Sequence, residues 1–227
     1  MDPRHLTFDQ RLAGFCVFCG AKPTTKDHIP ARVFLDEPYP DEMRVVGACH
    51  DCNSASSPDE QYLACLLECV VCGSTDPSDL EREKVRKTIA HAPKLAERIQ
   101  RGSGPDLFGT LRWEVEHDRA RDVVVKLARG LVAYEEANPQ LDEPDGVSIC
   151  PLAELTKDQR DVFEATAPDG VVLGWPEIGS RAFYRAAETG QADPWRIVQP
   201  DRFRYRVVGT EVRMVLREYL GCVVAWD

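Results

Sequence analysis

Apolar positions along this chain recur with two different periods. Tyr62, Leu63, Leu66, Leu67 and Val70 follow one another at helical spacing, and Ser57-Pro-Asp-Glu60 ahead of them reads as a helix start. Ser57 can cap, Pro58 suits the first helical position, and Glu60 can reach back as the partner in a capping box. Asp79 to Gln100 also reads as helix, interrupted or kinked at Pro93. A third helix is predicted from a cap at Asp118 to about Ala137. Its pairs Val123/Val124, Leu127/Ala128 and Leu131/Val132 repeat every four residues, so one face is buried. Thr156-x-x-Gln159 opens another helix.

Elsewhere the period shortens to two. Leu111 to Glu116 alternates as a strand, and three runs near the end, from Phe203, Val212 and Cys222, predict an antiparallel meander. The turn-rich stretch Gly73-Ser-Thr-Asp-Pro-Ser-Asp79 places a boundary near residue 73. The expected organisation is α+β: a small module over 1–73, then a mixed α+β domain over 74–227 that ends in the meander.

Charge and composition narrow the function classes. The 227 residues carry a formal net charge of −10. Residues 1–73 hold 6 Lys/Arg against 11 Asp/Glu, and the remainder holds 22 against 27. Neither part is basic, which works against a phosphate-binding surface. No apolar run is long enough to cross a bilayer, and the opening Met-Asp-Pro-Arg-His lacks the build of a secretory signal. A cytoplasmic protein is expected, with no membrane partner.

The cysteines change the picture most. There are 9 of them, an odd number, and six fall in C-x-x-C pairs: Cys16/Cys19, Cys49/Cys52 and Cys69/Cys72. In a reducing compartment this spacing reads as metal ligation or redox chemistry before it reads as cross-links. Cys16, Cys19, Cys49 and Cys52 can supply the four thiolates of a tetrahedral structural zinc site. Cys69-Val-Val-Cys72 could replace one pair, or form a second site with Cys65. Its position at the end of an apolar helix also allows it to be core.

Between the first two pairs lies Thr25-Lys-Asp-His-Ile-Pro30, and Asn53 follows the last cysteine. A zinc knuckle therefore brings Asp27, His28 and Asn53 near one another. Asp27 offers a hard anionic oxygen and Asn53 a neutral one, a donor set that suits Mg²⁺ or Mn²⁺. His28, which titrates near neutrality, can take a proton from water.

On these residues the sequence resembles a known family. Cys16-x-x-Cys19, Asp27-His28-Ile29-Pro30 and Cys49-x-x-Cys52-Asn53 are similar to the zinc-knuckle branch of HNH endonucleases, over roughly residues 14–63. The resemblance implies a ββα-metal fold for the N-terminal module and hydrolysis of phosphodiester bonds, with DNA ahead of RNA as substrate. It implies His28 as general base, Asp27 and Asn53 as ligands of the catalytic metal, and the four cysteines as a remote structural zinc site. The products would carry 5′-phosphate and 3′-hydroxyl ends. Three positions depart from the family pattern. Its middle Asn would fall near Arg44, its final helical His is absent after Asn53, and the basic residues beyond the Cys-Asn step are replaced by Ser54-Ala55-Ser56. A non-catalytic zinc-knuckle binding module is the alternative expectation.

Other features carry structural expectations. His50, between two ligand cysteines, should face solvent, and Trp113, Trp175, Trp195 and Trp226 should belong to the aromatic core. Arg202, Arg204 and Arg206 alternate on one strand, as a basic strip or as the polar outer face of a sheet. A second copy or a protein partner would bind through residues 74–227.

Overall fold

A computed structural model describes residues 5–7, 14–105, 111–166, 178–189 and 195–227. The N-terminal part is built on strand β3 (Met43–Ala48), whose run of apolar residues is buried along most of its length. Burial on both faces is what such a continuous apolar strand requires. It lies between β1 (His5–Thr7), which runs parallel to it, and β2 (Thr25–His28), which runs antiparallel with Asp27 opposite Val46 and His28 opposite Val45. Helices α1 (His50–Ala55) and α2 (Ser57–Cys72) follow directly. The segment from β2 to α1 thus has the strand–strand–helix order of a ββα module around the cysteine pairs.

Helix α2 is buried almost all round from Tyr62 to Cys69. It stops at Gly73, whose φ of 67° is left-handed. Its amide meets the Val70 carbonyl while the Ser74 amide meets that of Cys69. This is the glycine-closed helix end that a side chain at Cβ disfavours. Two short helices follow, α3 (Glu83–His91) and α4 (Pro93–Arg101), so the stretch expected to kink at Pro93 breaks at Ala92. The hairpin β4 (Ser103–Pro105) and β5 (Leu111–Trp113) leads into α5 (His117–Glu136). The predicted strand is shorter than its alternation suggested, because Glu116 already serves as the α5 cap.

The rest comprises β6 (Gly146–Pro151), α6 (Lys157–Glu164), α7 (Arg181–Thr189), β7 (Arg196–Gln199), β8 (Phe203–Val208), β9 (Glu211–Leu216) and β10 (Leu220–Ala225). The strands form an antiparallel sheet in the order β6-β10-β9-β8-β7. The meander is its β8-β9-β10 part, and the architecture is α+β. Alternate residues Phe203, Tyr205, Val212, Met214, Cys222 and Val224 point into the main core. The opposite face carries Val215 in a smaller cluster with Leu152 and Phe163 beneath α6. The Thr156–Gln159 capping box that starts α6 is formed in both directions.

Helix α5 joins the two parts, packing against α2, β3, α7 and the five-stranded sheet. The main core unites Cys16, Ile29, Phe34 and Val46 with Leu127, Leu131, Met214 and Trp226, so residues 14–73 bury apolar faces against residues from beyond the turn. At Gly130 the approach leaves no room for a Cβ, which would lie 2.5 Å from Ile29 Cδ1. Among the described residues, no helix is long and apolar enough to cross a membrane.

Candidate metal centre

The Sγ atoms of Cys16, Cys19, Cys49 and Cys52 all lie within 4.8 Å of one another. Sγ of Cys19 and Cys49 are 3.7 Å apart. A tetrahedral Zn²⁺ with bonds of about 2.3 Å sets sulfur–sulfur edges at about 3.8 Å. A disulfide would need about 2.05 Å, and all four cysteines are free. Spacing, sulfur chemistry and geometry together fit a structural zinc site.

Local folding puts each thiol in place. Gly20, with φ of 77°, turns the chain after the first pair, and its amide donates to the Cys16 carbonyl. Cys49 caps α1, its Sγ accepting from the Cys52 amide at 3.4 Å. That backbone hydrogen bond, with the one from the Cys52 thiol, lowers the Cys49 pKa to about 7. Burial instead pushes Cys52 upward, with the Cys49 and Cys19 side chains adding to the rise. One thiol poised as thiolate among more reluctant ones is a set that a bound cation would bring to full ionisation. Cys65 and Cys69 are different: burial in α2 pushes both to about 12, and they pack with Tyr62, Leu66 and Ile89. Among the described residues, the third C-x-x-C pair belongs to no metal-binding group.

Of the predicted trio, Asn53 directly follows Cys52, and Asp27 and His28 lie on β2. Asn53, in α1, donates from Nδ2 to Thr25 Oγ1 at 3.2 Å and to the Lys26 carbonyl at 3.3 Å. The helix that carries Cys52 and is capped by Cys49 is thereby tied to the strand that carries Asp27 and His28. Asn53 reaches the chain next to Asp27, whereas Asp27 and His28, as neighbours on one strand, point to opposite faces. Asp27 is 6% exposed and His28 half-buried. His50 is exposed, as expected.

Asp27 has a partner that sequence reasoning missed. Lys126 Nζ, from the middle of α5, lies 2.7 Å from Asp27 Oδ2 and 2.7 Å from Glu60 Oε1. All three side chains are buried. Burial by itself would lower the Lys126 pKa, but the two carboxylates outweigh it and the net shift is upward. Glu60 is raised, burial prevailing over the pull of Lys126. Glu60 is therefore not the capping-box partner expected from Ser57-x-x-Glu60. The cap position falls on Ser56 without a side-chain bond, and Ser57 donates to the Asn53 carbonyl. The available signal was a charged residue inside Val123-Val124-Val125-Lys126-Leu127-Ala128, where the helical period calls for an apolar one.

A cavity of about 280 Å³ opens between the cysteine cluster and α5, with Cys52, Ser56, Asp59, Arg121, Lys126 and Arg129 on its walls. Its cations are countered locally: Arg121 and Arg129 both meet Glu143. The arginines expected as a strip are likewise engaged. Arg204 forms a double hydrogen bond with Glu164 and meets Glu218, Arg206 donates to the Ala165 carbonyl, and Arg202 pairs with Asp36.

As donors for a catalytic Mg²⁺ or Mn²⁺, Asp27 and the Asn53 carboxamide are of the right hard-oxygen type. Asn53 turns its amide nitrogen to β2. Comparison with protein-family profiles, curated proteins and solved structures returns no match for this chain.

Proposed function

We propose that this chain is a zinc-supported endonuclease of the HNH kind, hydrolysing phosphodiester bonds, in DNA ahead of RNA. The observation that carries the proposal is the Asn53 tie between the cysteine-bearing helix and the Asp27–His28 strand. It supports the placing of Asn53 beside the strand that carries Asp27 and His28, the other two groups that the sequence pattern singles out. His28 would take the proton from the attacking water, and Asp27 and Asn53 would hold Mg²⁺ or Mn²⁺. A bound divalent ion supplies polarisation of the phosphate and charge stabilisation at the departing oxygen. The four thiols and their zinc hold α1 against β2 and take no part in bond breaking.

Nicking of supercoiled plasmid by the zinc-loaded protein tests this. Cleavage should need Mg²⁺ or Mn²⁺ and should fall by at least about a hundredfold in His28→Ala, the usual worth of a positioned proton acceptor. Unchanged zinc content would show that the variant is folded. Retained cleavage in His28→Ala would reject the assignment.

The Lys126 ammonium on Asp27 favours a second function, a non-catalytic zinc-knuckle binding module that keeps the frame without the chemistry. The net charge of −10 points the same way. Wild-type protein that binds stoichiometric zinc but never nicks DNA would select it.

A further inference from the structure

The Asp27–Lys126–Glu60 group is assembled from three elements that are far apart in sequence: β2, α2 and α5. Burying one ammonium and two carboxylates is costly, and such groups are kept only when their charges meet closely. Here both oxygens lie at 2.7 Å from one nitrogen, so the carboxylates converge on a single cation position. The Phe18 ring, from the turn between Cys16 and Cys19, lies 5.4 Å from the same nitrogen. Lys126 also borders the 280 Å³ cavity, whereas Asp27 and Glu60 lie behind it, outside the cavity lining.

We propose that Asp27 and Glu60 form a two-carboxylate cation site whose resident cation is the Lys126 ammonium, and that a divalent ion can bind Asp27 only by displacing it. The inference rests on Asp27 being the metal-binding carboxylate of the proposed nuclease. Its physical basis is mutual exclusion. A Mg²⁺ or Mn²⁺ ion needs carboxylate oxygens at roughly 2.0–2.2 Å, and an ammonium held on the same buried carboxylate would face it at a few ångströms in a medium that screens charge poorly. The Lys126 pair therefore sets the metal affinity of the site low. Glu60 becomes a candidate metal donor once the ammonium leaves, a role not legible from its place at the start of a helix.

Mn²⁺ binding to the full-length zinc-loaded chain, followed by the electron paramagnetic resonance signal of free Mn²⁺, tests the proposal. Lys126→Met removes the charge and keeps most of the volume, and it should bind one Mn²⁺ at least about tenfold more tightly than wild type. Adding Asp27→Asn to that variant should abolish the gain. Affinity unchanged or weaker in Lys126→Met would overturn the proposal.

Should Lys126→Met not fold, wild-type protein labelled uniformly with ¹⁵N provides the second measurement. Mn²⁺ broadening of the amides of residues 26–28, with the Lys126 ammonium resonance unmoved by Mg²⁺, would overturn mutual exclusion. Broadening together with displacement of that resonance is the expected result, and no broadening at saturating Mn²⁺ would also overturn the proposal. Cleavage is scored separately: tight Mn²⁺ binding without any nicking would reject the nuclease function and leave the cation site standing.

Discussion

Cys52 has two duties, as one of four converging thiols and as the amide donor to Cys49 Sγ. Replacing it with Ser removes a soft ligand that zinc prefers and leaves three. The wild type should release one equivalent of zinc to a mercurial reagent, and Cys52→Ser is expected to lose it. The variant should also melt at least about 5 °C lower, since 1 kcal/mol corresponds to about 2–4 °C in a chain of this size. Zinc retained at one equivalent would mean that the four thiols are not the ligand set. Asn53 acts through its carboxamide, so Asn53→Asp, which cannot donate to Thr25 Oγ1 or the Lys26 carbonyl, should loosen α1 from β2. The expected loss is about 1–3 kcal/mol, with zinc still bound. Chemical denaturation beside zinc quantification checks this, and wild-type stability in the variant would refute the tie.

Among the elements, α5 is the one on which the rest depends. Its apolar period was readable from the chain, but its crossing against the N-terminal module depends on Gly130, where the Ile29 side chain occupies the space a Cβ would need. Ala at this position would gain up to about 1 kcal/mol of helix propensity. It would also drive a methyl group to 2.5 Å from Ile29 Cδ1 and 2.7 Å from Cγ1. Ile29 is 1% exposed and has little room to yield. Overpacking of this kind costs about 1–3 kcal/mol. Gly130→Ala should therefore be neutral to destabilising by about 2 kcal/mol in urea unfolding, and a gain in stability would show that the helix can shift. Lys126 sits one turn before Gly130 on the same helix, so the close crossing also carries the ammonium to Asp27.

For the molecule as a whole, the junction between residues 1–73 and the remainder combines apolar burial with ion pairs at its rim. Asp36 receives Arg82 Nε at 2.8 Å and also pairs with Arg202, joining the segment after β2 to the approach to α3 and the lead into β8. Burial would raise its pKa, but the bonds from Arg202 and Arg82 outweigh that and hold it below the ordinary 3.8. A carboxyl group with a lowered folded-state pKa contributes stability at pH values above its unfolded value. That contribution is lost as pH falls through the folded value. Wild type should thus exceed Asp36→Asn by about 1–3 kcal/mol above roughly pH 5, and the gap should close below pH 3.8. A gap constant down to pH 2 would mean that Asp36 is not ionised in this clamp.

The buried face of α5, the Thr156–Gln159 capping box, the meander and the four-thiol set could all be read from the chain, because each depends on residues close in sequence or on a spacing with one common chemical meaning. The C-x-x-C pairs needed only their two turns, and the buried faces needed only period. The partner of Asp27 could not be read this way. Lys126 lies 99 positions beyond Asp27 and 66 beyond Glu60, and nothing local distinguishes a lysine bound for a buried carboxylate pair from one that extends to solvent. Only the packing of α5 across β3 and α2 decided that an ammonium, buried and charged, would meet Asp27.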